Sequence, residues 1–187
     1  MYTFFKDKIL DEEKREVMMD WETPLMKKHA KVITKNGGDI LEIGFGMGIC
    51  ANFIQQANIN THTIIEIHDQ IFQYLLEWAK NKPNVIPIKG DWFEVLPKNK
   101  KYDGIMFDTY KDKNQNQIYK ILPQFLKPKG IFSFYSGHSI KGLKLEAKKL
   151  SKGKLFYEKI NVNPPTNKMK SKYFTRKDYY LPKIIID

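Results

Sequence analysis

The residues of greatest chemical interest form a glycine turn near the start of the chain. Residues 37–47 read GGDILEIGFGM, an apolar run that carries Glu42 and then passes into Gly44, Phe45, Gly46 and Met47. Because glycine lacks Cβ, it adopts backbone angles that other residues avoid and lets the chain approach a ligand closely. Such a turn is typical of a dinucleotide or adenosyl-cofactor site, although an ordinary strand-to-helix connection can have the same pattern.

The spacing of the glycines argues against a phosphate cradle. Gly48 follows Gly46 after one residue, so the G-x-G-x-x-G pattern of a pyrophosphate site is absent. No Lys-Ser or Lys-Thr pair follows the turn, which excludes a phosphate loop of the nucleoside-triphosphatase kind. The nature of the ligand therefore depends on the residues that follow the later strands.

Acidic residues follow the next two predicted strands, where ligands bind in a parallel α/β sheet. Glu66 ends the run T-I-I-E, about twenty residues after the turn, where a carboxylate can accept hydrogen bonds from both ribose hydroxyls. A helix-capping or surface carboxylate is the alternative for Glu66. Asp91 and Trp92 follow Gly90 after the third strand, and they suit an adenine amino group and a stacking face. Core filling explains Trp92 equally well.

A further acid, Asp108, follows the fourth strand in the sequence Asp108-Thr109-Tyr110. An acid in this crevice suits substrate binding or proton abstraction. Acids after three successive strands, without a phosphate cradle, favour S-adenosylmethionine over a nucleotide phosphate. That ligand is cationic at sulfur and has no pyrophosphate to neutralise, so carboxylates are compatible with it.

Alternating strands and helices must position these residues. The apolar periodicity predicts strands at residues 40–43, 63–67, 85–88, 104–107 and 130–135, and helices at residues 23–34, 50–56, 69–80 and 116–126. Right-handed crossovers between such strands give a mostly parallel, doubly wound α/β sheet.

The last third of the chain has a different texture. A Lys-rich amphipathic segment after residue 141 precedes strand candidates at residues 155–162 and 172–180, with a proline-containing turn at residues 163–167. We expect an antiparallel pair at the edge of the sheet. We predict one domain over residues 1–187, with residues 1–22 as an N-terminal lid segment and residues 141–187 as a Lys-rich helix and C-terminal hairpin.

The amino-acid composition limits the kinds of partner that the protein is expected to bind. The net charge is +11, but Arg15 and Arg176 are the only arginines, and lysine is the weaker residue for bidentate recognition of phosphates or bases. A solvated lysine surface and attraction to an acidic partner both stay open, whereas nucleic acid is disfavoured. Cys50 is the only cysteine, so a zinc site is not expected. The chain shows no secretory h-region and no apolar run of roughly 18 residues, so we expect a cytoplasmic protein without membrane contact.

Several motifs together resemble one family. In order, the chain contains W-E-T-P, L-E-I-G-F-G-M, T-I-I-E, N-V-I-P-I-K-G-D-W, Y-D-G-I-M-F-D-T-Y and L-K-P-K-G. The set resembles the guanidinoacetate N-methyltransferase family, which is related to the fungal protein-arginine δ-N-methyltransferases. Both are class I S-adenosylmethionine-dependent enzymes. The resemblance covers about residues 17–135, and extends more weakly to Pro164-Pro165 and Tyr179-Tyr180.

The resemblance implies a Rossmann-like class I methyltransferase that uses S-adenosyl-L-methionine, releases S-adenosyl-L-homocysteine and needs no metal. The glycine turn and Met18 would line the methionine part of the cofactor, Glu66 would hold the ribose, and the segment from Gly90 to Trp92 would border the adenine. The implied cofactor-binding residues are Met18, Glu42, Gly44, Phe45, Gly46, Met47, Glu66, Ile67, Gly90, Asp91, Trp92 and Asp108.

The resemblance also implies an acceptor site. Taken alone, Glu22 is a first-turn residue that the helix dipole favours, but Glu22 and Asp108 match the two carboxylates with which the family clamps a guanidinium. Asp108 would withdraw the proton of the reacting nitrogen. The implied substrate-binding residues are Trp21, Glu22, Asp108, Thr109, Tyr110, Gly137 and His138, of which Thr109 and the backbone of Gly137 and His138 match the carboxylate-binding end of the small-molecule enzyme.

Two departures bear on the substrate. The N-terminus is shorter than in the small-molecule enzyme, so that Tyr2, Phe4 and Phe5 form either a reduced lid or a disordered end. Residues 136–139, S-G-H-S, do not match the family at the carboxylate-binding end. We therefore expect a small guanidino substrate of the guanidinoacetate, arginine or agmatine type, with peptide or protein arginine as the alternative. A nucleic-acid-binding protein with the same fold is an alternative of another class.

Overall fold

The computed structural model describes residues 1–164 and 174–186. The chain begins with three short antiparallel strands, β1 (Thr3–Phe4), β2 (Lys8–Leu10) and β3 (Glu16–Met19). A 3-10 turn at Asp20–Glu22 leads directly into helix α1 (Thr23–Ile33), with Pro24 in its first turn. Proline fits there because the first N–H groups of a helix have no intrahelical acceptor.

The main sheet has seven strands. They are β4 (Asp39–Ile43), β5 (Thr61–Glu66), β6 (Val85–Lys89), β7 (Tyr102–Phe107), β8 (Leu126–Phe134), β9 (Lys154–Asn161) and β10 (Asp178–Ile185). Their spatial order is β6-β5-β4-β7-β8-β10-β9, and the first five are parallel. The chain leaves β4 toward β5 on one side and later returns to β7 on the other. Ligands bind at such a switch point, beyond the carboxyl ends of the strands.

Helices connect the parallel strands. They are α2 (Ile49–Ile54), α3 (Asp69–Ala79), α4 (Trp92–Val95) and α5 (Ile118–Phe125), with α6 (Ile140–Ala147) after the last parallel strand. The strands between them are apolar because helices or loops cover both faces of the sheet. Ile40, Leu41, Ile64, Ile105 and Phe132 are almost completely buried. The mostly parallel, doubly wound α/β sheet predicted from the sequence is thus confirmed.

The antiparallel C-terminal pair is also confirmed, but the second strand was placed too early. It covers Asp178–Ile185 rather than residues 172–180, and it lies between β8 and the edge strand β9. The strand contains Pro182, a residue that is uncommon in central strands because it cannot donate a hydrogen bond to the ladder. Here Pro182 lies opposite Tyr157 of β9. Residues 165–167 of the predicted turn and residues 172–173 lie outside the described residues.

Candidate active site

A cavity of about 480 Å³ opens beyond the carboxyl ends of β4, β5, β6 and β7. Backbone hydrogen bonds extend the sheet into the floor of this cavity. Gly44 N donates to Ile65 O at 2.9 Å, and Asp108 N donates to Ile43 O at 2.9 Å. These bonds fix the loop after β4 to strand β5 and the loop after β7 to strand β4, so that both loops border one concave surface.

The turn after β4 requires glycine at two positions. Gly44 has φ +88°, and a Cβ there would lie 2.0 Å from the backbone oxygen of Asp108. Gly46 has φ +55°, and a Cβ there would lie 2.5 Å from Met18 Sδ. The same sulfur accepts a hydrogen bond from Met47 N at 3.2 Å. The first clash is with rigid backbone and the second with a side chain, so Gly44 is the more constrained position.

Glu66, at the end of β5, is held in one orientation. Its carboxylate is buried, and its two oxygens accept hydrogen bonds from Phe45 N at 3.0 Å and His68 N at 2.7 Å. Backbone donors therefore fix this acid against the glycine turn while it lines the cavity. A carboxylate preorganised in this way suits the acceptance of neighbouring hydroxyl groups.

The residues after β6 form the next wall. Gly90 N donates to Glu66 O at 3.1 Å, and Asp91 caps α4 by accepting from Phe93 N at 2.9 Å. Trp92 is only 4% exposed, and its Nε1 donates to Asp112 Oδ2 at 2.6 Å. Because Trp92 both packs in the core and lines the cavity, its two sequence interpretations are compatible.

The two carboxylates of the predicted clamp, Glu22 and Asp108, are far apart in sequence and line this same cavity. Glu22 is 3% exposed and comes from the turn before α1, where its Oε1 accepts from Met19 N at 3.0 Å. Asp108 follows β7. Burial raises the pKa of Asp108 to about 7, and the charge of Glu42 adds to the rise. Asp108 can therefore exchange a proton near neutral pH.

Glu42 lies beneath the cavity floor on β4. It is 1% exposed, and His62 Nε2 lies 3.0 Å from its Oε2. Burial raises the pKa of Glu42, and the hydrogen bond from His62 acts in the opposite direction. The thiol of Cys50 also reaches Glu42, and burial raises the pKa of that thiol. Glu42, paired with His62, therefore acts electrostatically on Asp108 in the cavity wall.

Tyr135 is a cavity residue that the sequence analysis missed. It follows β8, and its N donates to Phe107 O at 3.0 Å. Burial raises its pKa, and the charges of Glu22 and Asp108 raise it further, which places its hydroxyl within their field. The rule that located the acids, residues just past each strand, also selects Tyr135 when it is applied to the fifth strand.

The N-terminal segment covers one side of the cavity. The ring of Tyr2 stacks on His68 with 3.8 Å between centroids, and both residues line the cavity. The buried Asp11 accepts hydrogen bonds from Tyr110 Oη at 3.0 Å and Lys111 Nζ at 2.9 Å, and it also binds Arg15. This group, which we call the Asp11 clasp, fastens the N-terminal strands to the loop after β7.

Most of the predicted site residues come together at the cavity wall. They are Met18, Glu22, Glu42, Gly44, Phe45, Gly46, Glu66, Ile67, Gly90, Asp91, Trp92, Asp108, Thr109 and Tyr110. Within this set Thr109 Oγ1 donates to Asp112 Oδ2 at 3.2 Å. The loop after β7 is thus tied both to the wall beside Trp92 and, through the Asp11 clasp, to the N-terminal strands.

Four predicted residues lie outside that wall. Met47 faces a separate apolar groove with Phe4 and Phe5, and Trp21 packs toward Phe174 at 5.9 Å between ring centroids. Gly137 and His138 lie in the loop before α6, which does not reach the cavity. Of the residues in the predicted lid, Tyr2 lines the cavity, whereas Phe4 and Phe5 line the separate groove, and closure of this segment over the site stays a prediction. Contacts of these residues with a cofactor or substrate stay predictions.

The described residues hold neither a metal-binding cluster nor a membrane-spanning helix. Residues 1–164 and 174–186 contain no cluster of three or more His, Cys, Asp or Glu side chains arranged to hold a metal ion. In the same ranges, no helix is both long and apolar enough to cross a membrane.

Comparison with protein families and curated proteins gives a consistent result. The model of the guanidinoacetate N-methyltransferase family matches residues 5–175. Protein arginine N-methyltransferase 2 of Kluyveromyces lactis is 34% identical, over 95% of this chain and 50% of the relative. The protein of the same name from Saccharomyces cerevisiae is 31% identical, over 94% of this chain and 49% of the relative. The chain thus spans about half the length of these curated relatives.

Solved structures share the fold at low sequence identity. N-methyltransferase NodS from Bradyrhizobium japonicum WM9, in complex with S-adenosyl-L-homocysteine, has a TM-score of 0.67 at 13% identity and covers 89% of this chain and 87% of that chain. TYW2 from M. jannaschii, in complex with AdoMet, has a TM-score of 0.64 at 20% identity and covers 100% of this chain and 86% of that chain. The architecture is therefore that of a Rossmann-like methyltransferase.

Proposed function

The chain belongs to the guanidinoacetate N-methyltransferase family, and we propose that it is an S-adenosyl-L-methionine-dependent N-methyltransferase acting on a guanidino group. The observation that carries the proposal is that Glu22 and Asp108 line one cavity together with the glycine turn and Glu66. A turn with its ribose acid supports a cofactor site, and the buried Glu22 together with the partly buried Asp108 supports a cationic acceptor beside it.

The cavity residues fit the family's cofactor. S-adenosyl-L-methionine supplies a methyl group on a cationic sulfur. Gly44 and Gly46 let the Asp108 backbone and the Met18 side chain pack directly against the turn, where a Cβ would clash, and the turn itself lines the cavity. Glu66 beside it is fixed as a hydrogen-bond acceptor, as a ribose would require. Glu42 and Asp108 add negative charge at the floor, which suits a cationic ligand. We assign Met18, Phe45, Ile67 and the segment from Gly90 to Trp92 to the remaining cofactor wall.

The acceptor end suits a guanidinium. This group is planar with parallel N–H bonds, so two carboxylates can each accept a paired set of hydrogen bonds and orient one nitrogen. Glu22 is kept rigid by its bond from Met19 N. Asp108, with its pKa raised to about 7, accepts the proton that the reacting nitrogen releases on one carboxylate oxygen. This transfer matters because a protonated, delocalised guanidinium is a poor nucleophile.

For the acceptor itself, our first candidate is a small guanidine of the guanidinoacetate, arginine or agmatine type. Tyr2 and the Asp11 clasp cover one side of the cavity and favour a compact acceptor. The second candidate is a peptide or protein arginine, which the names of the curated relatives support at least as well. With a net charge of +11, the chain would prefer an arginine flanked by acidic residues.

The test is transfer of a labelled methyl group from the cofactor to a panel of free guanidines and arginine peptides with acidic or basic flanks. We expect transfer to at least one member, with Asp108→Asn and Glu22→Gln strongly impaired on that acceptor. Free guanidines alone as acceptors would support the first candidate, and peptides alone the second. Full activity of Asp108→Asn on every acceptor would overturn the assigned role of that residue.

A further inference from the structure

A buried chain of polar side chains lies behind the acceptor end of the cavity. His29 of α1 reaches Ser133 Oγ of β8 through Nδ1 and Tyr179 Oη of β10 through Nε2, both at 2.8 Å. Ser133 Oγ donates to Pro182 O at 2.5 Å, and Tyr179 Oη accepts from Ser136 N at 3.1 Å. We call this group the His29 relay.

The relay allows one arrangement of protons. Ser133 uses its hydroxyl proton on Pro182 O, so its oxygen must accept from His29 Nδ1–H. His29 Nε2 is then an acceptor, and it receives the hydroxyl proton of Tyr179. Burial lowers the pKa of His29 to about 3, which keeps the ring neutral, as this arrangement requires. Each of these polar groups therefore has a partner, and buried networks satisfied in this way are rigid.

The relay ends on the backbone of Ser136, next to the cavity residue Tyr135. Ser136 directly follows the cavity residue Tyr135, and Ser136 Oγ accepts from His138 N at 3.2 Å. The charges of Asp108 and Glu22 raise the pKa of Tyr179 as well as that of Tyr135, although burial is the larger cause. Tyr179 is not in the cavity wall. It reaches the site through Ser136 and through its packing with Tyr135, at 5.7 Å between ring centroids.

We propose that His29 and Tyr179 are positioning residues for the guanidino acceptor, and that the relay, acting through the Ser136 backbone, holds Tyr135 beside Glu22 and Asp108. The inference rests on the proposed function for the nature of the acceptor. It assigns no contact between either residue and the cofactor, because the relay approaches the cavity from β8 and β10, on the side of β7 away from β4.

The test compares two tyrosine hydroxyl deletions. Tyr179→Phe removes the group that joins His29 to Ser136 and preserves the ring. Tyr119→Phe is the matched control, because Tyr119 is equally buried, interacts with Glu146 and packs on Phe132 and Phe134 away from the cavity. For Tyr179→Phe we expect KM for the acceptor to rise about tenfold, the size expected for one buried hydrogen bond. The Kd for S-adenosyl-L-homocysteine should change less than about twofold.

A second pair of variants separates positioning from folding. His29→Gln retains an amide oxygen that can accept from Tyr179, whereas His29→Leu leaves that hydroxyl and Ser133 without their partner. We expect His29→Gln to recover much of the KM lost in His29→Leu. Amide hydrogen exchange at Ser136 should accelerate in Tyr179→Phe and not in Tyr119→Phe.

Equal KM values in Tyr179→Phe and the wild type, on an acceptor that the wild type methylates, would overturn the inference and leave the proposed function intact. A wild-type protein that methylates no guanidine overturns the proposed function, and with it the acceptor role of the relay. An unchanged exchange rate at Ser136 in Tyr179→Phe would overturn the relay in either case.

Discussion

The two ends of the cavity are built in different ways. At the cofactor end, Glu66 and the glycine turn belong to one β4–α2–β5 unit, and backbone N–H groups orient the carboxylate. At the acceptor end, Glu22 precedes α1, Asp108 follows β7 and Tyr135 follows β8. Segments more than a hundred residues apart meet there, and buried side chains hold them in place.

This difference has a consequence for substitutions. The backbone of one local unit, β4–α2–β5, holds the cofactor end. Substitutions there should therefore alter the binding of the cofactor alone. An end assembled from remote segments depends on contacts throughout the domain, so both direct and indirect changes should alter transfer. Five predictions test this division, and the first of them concerns Asp108.

Asp108→Asn should reduce kcat/KM for the guanidine by about 10²–10⁴-fold, the usual size for loss of a general base. The variant keeps the shape of the side chain and removes the proton acceptor. Calorimetry with S-adenosyl-L-homocysteine should give a Kd close to the wild-type value. A loss of cofactor affinity as large as the loss of activity would contradict the division between the two ends.

Glu66→Gln should weaken cofactor binding by about 10- to 100-fold, because charge-assisted hydrogen bonds contribute about 1.5–3 kcal/mol each. KM for the guanidine, measured at saturating cofactor, should stay near the wild-type value. Asp91→Asn is the comparison at the same end, and its smaller effect is expected because Asp91 is engaged in capping α4. An acceptor KM that changes as much as the cofactor Kd would refute the local character of this end.

The pH profile should show where the two ends are coupled. Burial and then the charge of Glu42 raise the pKa of Asp108 to about 7. The carboxyl is protonated below that value, so kcat/KM should rise with pH and level off above about 7. Glu42→Gln removes the second cause, and the midpoint should move to lower pH. An unmoved midpoint would show that the floor of the cofactor end does not act on Asp108.

The same shift has a stability counterpart. The ordinary pKa of an aspartate carboxyl is 3.8, and that of Asp108 in the folded protein is about 7. At pH values between these two, the folded state binds the Asp108 proton and the unfolded state does not. This group's contribution to the free energy of unfolding therefore falls as the pH rises through that window. Chemical denaturation should show a steeper fall for the wild type than for Asp108→Asn.

Asp11→Asn should have the smallest effect, a rise of about three- to fivefold in both KM values. The substitution weakens the buried bonds to Arg15, Tyr110 and Lys111, each of them worth about 1.5–3 kcal/mol when charged, and so loosens the cover over both ends. Glu13→Gln is the matched control, because Glu13 pairs with the same Arg15 on the exposed surface. Equal effects of the two variants would argue against a role for the clasp.

The sequence predicted correctly that the glycine turn and Glu66 lie at one cavity wall, and the reason is physical. Their contact with a cofactor stays a prediction. Glycine spacing, an apolar strand and an acid at its end are local signals, since the turn and Glu66 interact within about twenty residues. It also placed Asp108 and Glu22, through a rule about strand ends and a family resemblance. It missed Tyr135 because the predicted fifth strand, residues 130–135, extended one residue beyond the observed end at Phe134. It missed the Asp11 clasp because the members of that group are distant in sequence and no local pattern links them.

The C-terminal strand shows the same limit. The sequence predicted a strand at residues 172–180, whereas the observed strand continues past Pro182, a residue that is rare in central strands. In the structure the strand continues to Ile185 because β8 and β9 flank it, and Pro182 O is the acceptor for Ser133. Tertiary pairing here overrode the local preference.

By itself, the sequence determined the order of the parallel strands, the glycine turn and the acids that follow the strands, because these depend on short-range periodicity and backbone sterics. Only the tertiary structure decided that Asp108 has a pKa near 7, that Met47 and Trp21 face away from the cavity, and that His29 and Tyr179 support its acceptor end. Burial and charge at one atom depend on every segment that packs around it, and that packing exists only in the folded chain.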